Sequence, residues 1–276
     1  MKEYKIGIDI GGTKILGIVV DAENKIIREC QYPTFHESGT LNWKQALYEA
    51  VGELSSEVSG RVQHISIACA GLIDTKMGTI IYSQSLGVHQ FNLAEELSYH
   101  FSIPVSVYND ADAAAWAEKE FYQSESLLYI SVGTSIGSGL IINGNVFKAG
   151  GMAGELGHVP VEHEGRPCPC GNSGCVRAYA SGKAIEQEAN QWQRKHQQPI
   201  LFMPQILSAA GEGHPYYEKL LQGAASRLAQ AAIGAVHLLN PSIIVFGGGL
   251  MENSPLYFNY TKKAIYGGLL SGFLMT

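Results

Sequence analysis

The stretch at 154–177, GELGHVPVEHEGRPCPCGNSGCVR, holds three thiols close together in the chain, with an imidazole ten residues before the first of them. These side chains are those of His158, Cys168, Cys170 and Cys175. Zinc prefers thiolate and imidazole ligands, and three Cys with one His complete a closed tetrahedral shell that leaves no position for a reacting water. Gly171 and Gly174 supply the backbone freedom that a loop wrapped around a metal needs. The stretch therefore predicts a structural Zn²⁺ site.

Two simpler interpretations of these cysteines remain open at this point. They are ordinary small core residues, or two of them form a disulfide. The other cysteines, Cys30 and Cys69, are isolated within predicted strands. An odd total of five fits reduced thiols plus a metal site better than a disulfide framework.

Glycine-rich turns between apolar strands form a second chemical signal. The runs 4–10 and 15–20 flank GGTK and predict a hairpin whose turn exposes successive backbone N–H groups. Such a turn can bind phosphate, although a plain tight turn has the same residues. Asp9, at the end of the first strand, is placed to hold Mg²⁺ directly or through water.

The same pattern recurs later in the chain. GTSIGSG lies between apolar strands at 126–133 and 139–142, and the strand SIIVF, which we expect to be buried, precedes Gly247–Gly249. This third glycine turn allows a nucleotide to approach the backbone closely. Strand, glycine turn and strand occur twice, which predicts an internally duplicated α/β architecture with phosphates bound between the halves.

Asn109 and Asp110 stand where the strand VSVY is followed by an alanine-rich helix. That junction is the carboxyl edge of an α/β sheet, where ligands usually bind. The alternative is that Asn109 only caps the helix and Asp110 only complements its dipole.

Further helices are predicted by apolar periodicity and by capping residues. They lie at 41–59, at 92–101 with Asn92 as N-cap and Glu95 in the capping-box position, and at 176–195, 204–210 and 216–239. Asn143–Gly144 predicts a tight hairpin turn.

Composition excludes several classes of protein. The 276 residues are 46% hydrophobic, and 19 Lys and Arg against 25 Asp and Glu give a net charge of −6 without a basic block. This balance argues against a nucleic-acid partner. The chain has neither an apolar run long enough for a membrane span nor a signal-peptide pattern, so we expect no membrane association and a cytoplasmic location.

Taken in order, five motifs resemble those of the ROK family of bacterial sugar kinases and repressors. They are DIGGTK at 9–14, VYNDADAAAWAE at 107–118, GTSIGSG at 133–139, GELGH at 154–158 and CPCGNSGC at 168–175. The resemblance covers about residues 4–250. It implies an actin-like ATPase (ribonuclease H-like) fold of two α/β lobes, 1–120 and 121–276, with the zinc loop in the second. It also implies that ATP, Mg²⁺ and a hexose meet in a central cleft, and we expect a homodimer.

The resemblance assigns roles to individual residues. Asp110 corresponds to the catalytic base that takes the proton of the sugar 6-hydroxyl. Asn109, Glu155 and His158 correspond to hydroxyl-binding groups, with His158 also the fourth zinc ligand through its other ring nitrogen. The implied cofactor-binding residues are Asp9, Gly11, Gly12, Thr13, Lys14, Gly133, Thr134 and, on the adenosine side, Gly248.

Two positions depart from the family pattern. Ser135 replaces a usual glycine of the second turn, and Arg177 replaces the glutamate that holds the anomeric hydroxyl of the sugar. Arginine only donates hydrogen bonds, and a glycosidic oxygen still accepts one. We therefore expect Arg177 to bind substrate and to favour a β-glucoside or glucose, unless its side chain extends into solvent.

Two other functions stay open beside this hexose kinase. One is an N-acetylmannosamine kinase, and the other is a non-catalytic sugar-sensing relative. Repressors of the family carry a DNA-binding module before the first motif, whereas here the first strand begins at Tyr4, which favours a kinase. The ending GGLLSGFLMT also differs from the Ala/Gly-rich final helix that is usual in the family.

Overall fold

The computed structural model describes residues 2–35, 42–58, 60–271 and 273. It divides into two units, Met1–Ala113 and Ala114–Thr276. Among the described residues, no helix is both long and apolar enough to cross a bilayer.

The first unit is built on a five-stranded mixed sheet. The unit has eight strands among the described residues, and five of them form this sheet. The eight are β1 (Glu3–Ile10), β2 (Lys14–Val20), β3 (Ile26–Pro33), β4 (Arg61–Cys69), β5 (Leu72–Asp74), β6 (Thr79–Ser83), β7 (Val88–Asn92) and β8 (Val105–Asn109). The large sheet has the order β3-β2-β1-β4-β8, and β5, β6 and β7 form a small separate sheet. β1 is antiparallel to β2 and parallel to β4, and β4 is parallel to β8. The predicted hairpin is confirmed.

Helices α1 (Trp43–Ser56) and α2 (Leu93–Phe101) complete the core of the first unit. α1 packs against β2 and β3. The prediction for α1 began at Leu41 and ended at Ser59, which lie outside the described residues. At α2 the predicted cap is confirmed, because the Asn92 side chain accepts a hydrogen bond from the Glu95 backbone N–H at 3.0 Å. The Glu95 carboxylate accepts from the Asn92 side-chain amide at 3.1 Å.

A long helix, α3 (Asp110–Tyr122), contains the boundary between the two units. The second unit then repeats the strand pattern of the first. Its strands are β9 (Leu127–Val132), β10 (Ile136–Ile142), β11 (Asn145–Val146) and β12 (Ile243–Gly247), in the order β11-β10-β9-β12. As in β3-β2-β1-β4, the first two strands form a hairpin and the last is parallel to the first. The predicted internal duplication is confirmed at the level of topology.

Local turn chemistry explains one of these connections. Asn143 and Gly144 have φ angles of 52° and 71°, which is the left-handed pair that a tight two-residue hairpin requires. The predicted turn between β10 and β11 is therefore confirmed. The prediction that the strand SIIVF is buried holds only for Val245 and was wrong for the other residues, because β12 is an edge strand.

Helices cover the second sheet. They are α4 (Arg177–Ala180), α5 (Gly182–Lys195), α6 (Met203–Gly211), α7 (Pro215–Leu239), α8 (Gly249–Asn253) and α9 (Pro255–Gly268). The prediction of one helix over 176–195 was wrong, because Ser181 is extended and its hydroxyl caps α5 by accepting from the Ala184 N–H at 3.2 Å. α9 was not predicted. It begins at Ser254 and Pro255, and its Tyr257, fully buried, donates to the Ala180 carbonyl at 2.9 Å.

Candidate functional site

The carboxyl ends of three parallel strands are aligned in the first unit. Ile10 of β1 pairs with Cys69 of β4, and Cys69 pairs with Asn109 of β8. Asp9, just before the end of β1, and Asp110, just after the end of β8, therefore lie at the same edge of the sheet. This is the edge at which α/β proteins usually bind ligands.

The turn Gly11–Thr13 follows β1 at this edge. Gly11 N–H donates to the Lys14 carbonyl at 3.0 Å. Thr34, which is fully buried and directly follows β3, holds the turn: its hydroxyl donates to the Gly11 carbonyl at 2.9 Å and its N–H donates to the Thr13 carbonyl at 3.0 Å. No local pattern in the sequence indicates this role of Thr34, because only the pairing of β2 with β3 brings it to the turn.

Asn109 fixes the start of α3. Its side-chain oxygen accepts from the N–H groups of Ala111 and Asp112 at 2.9 and 3.1 Å, and its amide donates to the Gly71 carbonyl at 2.9 Å. The capping interpretation of Asn109 therefore describes its contacts in the protein. Because Asp110 is the next residue, the cap also fixes the backbone that carries the Asp110 carboxylate.

The carboxylates at this edge have altered acidity. The Asp110 side chain is reached by solvent, yet the surrounding protein desolvates its carboxylate and raises its pKa above the ordinary value. Desolvation also raises the pKa of Asp9, with a further rise from the Asp110 charge that Lys14 opposes. Burial raises the pKa of the neighbouring Cys69 thiol to about 12, so this thiol stays protonated and unreactive. The edge therefore presents accessible carboxylates that hold protons more readily than free aspartates do.

The second unit has an equivalent edge. β12 runs parallel to β9 with Gly247 opposite Ser131, so Gly248 lies beside the turn that contains Gly133 and Thr134. Gly248 has a φ of 88°, and a Cβ there would lie 2.7 Å from the Val132 carbonyl oxygen. Only glycine fits this position. The Gly248 N–H donates to the Glu252 carboxylate at 3.2 Å.

The start of α5 packs against the second glycine turn. Gly182 N–H donates to the Gly133 carbonyl at 2.8 Å, and Lys183 N–H donates to the Thr134 carbonyl at 3.4 Å. These two bonds hold the turn against the amino end of α5, which carries partial positive charge.

Ser138 positions the GELGH segment. This buried residue of β10 accepts from the Leu156 N–H at 3.1 Å and donates to the Gly154 carbonyl. The segment forms a short 3₁₀ turn, Leu156–His158, preceded by Glu155. The His158 N–H donates to the Glu155 carbonyl at 3.0 Å, so one turn of backbone carries both residues.

His158, Cys168, Cys170 and Cys175 come together as the sequence predicted, with all four ligand atoms within 4.8 Å of one another. Cys170 Sγ lies 3.8 Å from Cys175 Sγ, and His158 Nδ1 lies 3.7 Å from Cys168 Sγ. Zn–S bonds of about 2.3 Å place two thiolates of a tetrahedral site about 3.8 Å apart. The donor set and its spacing fit zinc, and no disulfide forms among the described cysteines.

The thiols of this cluster differ in acidity. The Asn172 backbone N–H and the neighbouring ligand side chains lower the pKa of Cys170 to about 6. Burial raises the pKa of Cys175 to about 12. A bound cation deprotonates a coordinating thiol outright, so a metal ion in the cluster would convert both Cys170 and Cys175 to thiolates.

Backbone geometry shapes the loop that carries the thiols. Gly171 and Gly174 have φ angles of 93° and 78°, which confirms the expected use of glycine between the ligands. A Cβ at Gly174 would collide with the Glu162 carbonyl oxygen. Arg166 N–H donates to the Tyr179 hydroxyl at 2.6 Å, which anchors the loop to α4. No pattern in the sequence indicates this anchor.

Arg177 is half-buried and does not extend into solvent. Its Nη1 lies 3.3 Å from His158 Nε2, the ring nitrogen opposite the one that faces the thiols. The residue that departs from the family pattern therefore contacts the predicted metal ligand itself.

The fold and these residues define an α/β protein of the actin-like ATPase class. The chain belongs to the ROK family, whose family model matches residues 5–274. A glucokinase of Streptomyces coelicolor is 32% identical over 97% of this chain and 88% of its own length. An N-acetylmannosamine kinase of Haemophilus influenzae is 32% identical over 68% of this chain and 63% of its own length. The crystal structure of a ROK family glucokinase from Streptomyces griseus in complex with glucose and AMPPNP is similar with a TM-score of 0.82, at 28% identity, over 99% of this chain and 92% of that one.

Proposed function

We propose that this ROK-family chain, an ATP-dependent carbohydrate kinase, phosphorylates the 6-hydroxyl of a hexose or hexoside with Asp110 as general base. Membership of the family and relatives named glucokinase support the reaction class. The observation that carries the proposal is the Asp110 carboxylate, which solvent reaches at the carboxyl edge of β8 on a backbone fixed by Asn109.

Asp110 meets the chemical requirement of the reaction. A sugar hydroxyl is a poor nucleophile, and phosphoryl transfer needs in-line placement, neutralisation of phosphate charge and one carboxylate to accept the proton. Because desolvation raises the pKa of Asp110, its carboxylate is a stronger base than a free aspartate. The pKa of a carboxyl raised in this way still lies well below the pKa of a sugar hydroxyl, so Asp110 is available as the ionised base.

We assign nucleotide binding to the three glycine turns. We assign the phosphates to Gly11, Gly12, Thr13 and Lys14 and to Gly133 and Thr134, and the adenosine side to Gly248. Asp9 provides a carboxylate suited to Mg²⁺, and the ion, when bound, supplies charge neutralisation on the phosphate oxygens. The absence of a side chain at Gly248 leaves its backbone open to close approach.

We assign the sugar hydroxyls to Asn109, Asp110, Glu155, His158 and Arg177. Zinc in the Cys₃His set would have no open coordination position, so its contribution is to fix the His158 ring. The ring nitrogen that faces away from the thiols is then available to the sugar.

A coupled assay of ADP release tests the proposed function. Glucose, N-acetylmannosamine and a β-glucoside such as cellobiose form the panel, each measured with and without ATP and Mg²⁺. Sugar-dependent ADP release with any of them supports a kinase. Sugar binding by calorimetry without ADP release would support the non-catalytic alternative instead.

The raised pKa of Asp110 predicts a pH profile. The base works only when it is ionised, so kcat/KM should rise with pH through the pKa of Asp110 and level off above it. Because desolvation raises that pKa, the acid limb should lie above the ordinary aspartate value of 3.8. A rate profile from pH 4 to 9 checks this. An acid limb at or below the ordinary aspartate value would contradict a desolvated Asp110 as the base.

The position of Arg177 predicts altered substrate preference. Wild type should tolerate a substituent at the anomeric oxygen, because a guanidinium donates to a glycosidic oxygen as well as to a hydroxyl. Arg177→Glu should move the preference toward free sugar, by about tenfold or more in the ratio of kcat/KM values, because the carboxylate needs a hydroxyl donor. Arg177→Gln is the matched control, since its amide both donates and accepts. If wild type rejects glycosides and Arg177→Glu leaves the ratio unchanged, Arg177 does not set specificity.

A further inference from the structure

The two nitrogens of the His158 ring face partners that make opposite demands. His158 Nδ1 lies 3.7 Å from Cys168 Sγ, on the side of the four-residue cluster. His158 Nε2 lies 3.3 Å from Arg177 Nη1. A metal in the cluster requires a lone pair on Nδ1. The guanidinium carries only N–H donors, so its hydrogen bond requires a lone pair on Nε2.

A neutral imidazole has one lone pair in the ring plane and one N–H. When Nδ1 binds a metal, Nε2 carries the proton and becomes a donor. Two donors then face each other across the contact between His158 and Arg177, so that contact cannot remain a hydrogen bond. Metal-ligating histidines normally present this N–H to an acceptor such as a carboxylate, and Arg177 has the opposite polarity.

We propose that Arg177 and zinc compete for His158, so that metal binding turns the Arg177 side chain away from the ring. Arg177 is thereby a positioning residue that weakens zinc binding, and zinc loading releases its guanidinium. The released guanidinium is the group that meets the substituted anomeric oxygen, and this last step rests on the proposed sugar site.

Electrostatic attraction between the loaded cluster and Arg177 acts in the opposite direction to the donor conflict. Zinc with three thiolates carries a net charge of −1 and attracts a nearby guanidinium. If that attraction decided the outcome, Arg177 would strengthen zinc binding. If the donor conflict decides it, Arg177 weakens zinc binding by about the value of one hydrogen bond, which is roughly three- to tenfold in affinity.

Zinc affinity separates these outcomes. Competition with a chromophoric chelator under reducing conditions is measured for wild type, Arg177→Met and Arg177→Glu. Both variants should bind zinc about three- to tenfold more tightly than wild type, with Arg177→Glu the tighter because its carboxylate accepts the His158 N–H. Lys183→Met removes a positive charge from the same unit without touching His158 and should leave the affinity unchanged. Weaker or equal binding by Arg177→Met would overturn the proposal.

The ring nitrogens give a second readout that does not depend on the variants binding metal normally. Long-range ¹H–¹⁵N spectra of the zinc-loaded wild type, with His158 assigned by its absence in His158→Gln, should show a protonated Nε2. The spectra of metal-stripped protein should show an unprotonated Nε2 that Arg177→Met alters. An unprotonated Nε2 in zinc-loaded wild type would also overturn the proposal. Neither measurement involves phosphoryl transfer, so a failure of the proposed kinase activity would leave both results interpretable.

Discussion

Asp110→Asn is expected to lower kcat by about 100-fold or more while sugar binding stays nearly unchanged. The amide has the size of the carboxylate and still forms hydrogen bonds, but it cannot accept the proton of the sugar hydroxyl. Asp110 Oδ1 shares the Ala111 N–H with Asn109, at 2.9 Å, and the amide oxygen of asparagine can accept the same bond, so the helix should keep its position. Steady-state kinetics with the best sugar of the panel, together with calorimetric sugar binding, measure the two quantities separately.

Glu120→Gln provides the matched control for this variant. Glu120 lies on the same helix, is exposed, and pairs with Lys119 at 2.8 Å. Loss of this surface carboxylate should leave kcat within about twofold, because exposed ion pairs contribute little. Near-native kcat in Asp110→Asn would remove Asp110 from the role of base, and an equal loss in both variants would point to damage to α3.

Loss of the metal is expected to have the other large effect. Native protein should contain one zinc per chain, held by His158, Cys168, Cys170 and Cys175. Cys175→Ser should lower zinc affinity by more than about 100-fold, and lower the unfolding temperature and kcat/KM together. The physical reason is that the polar loop around Gly171 and Gly174 lacks a core of its own, so the metal holds both the loop and the His158 ring.

Elemental analysis, thermal unfolding and the kinase assay check this expectation on one preparation. Cys30→Ser is the control, because Cys30 lies in β3, outside the cluster, and should keep the full zinc content. Fully active native protein with only trace zinc would contradict a metal-dependent site.

The sequence predicted correctly those features that depend on a few neighbouring residues. The thiols lie within eight residues of one another, so their spacing alone indicated that they meet. Asn143–Gly144 and the Asn92 cap depend on a few neighbouring residues, and the structure confirms both. Helix ends were predicted less well, because Ser181 offers its hydroxyl to the Ala184 N–H and breaks a segment whose apolar pattern runs through it.

Motif order identified the family, but not which contacts its residues make. GTSIGSG suggested a phosphate turn, yet Ser138 within it holds the GELGH segment in place. Asn109 has the residue type of a sugar ligand, and its observed contacts are those of a helix cap.

The sequence by itself therefore determined the duplicated strand and turn pattern, the clustering of His158 with three thiols, and the residues at each glycine turn. Only the tertiary structure decided that Asp9 and Asp110 share an edge, that Thr34 holds the Gly11 turn, and that Arg177 contacts His158. The physical reason is the range of the interactions. Turns, caps and closely spaced ligands are set by a few adjacent residues, whereas strand register and side-chain packing join residues that are distant in the chain and depend on the whole fold.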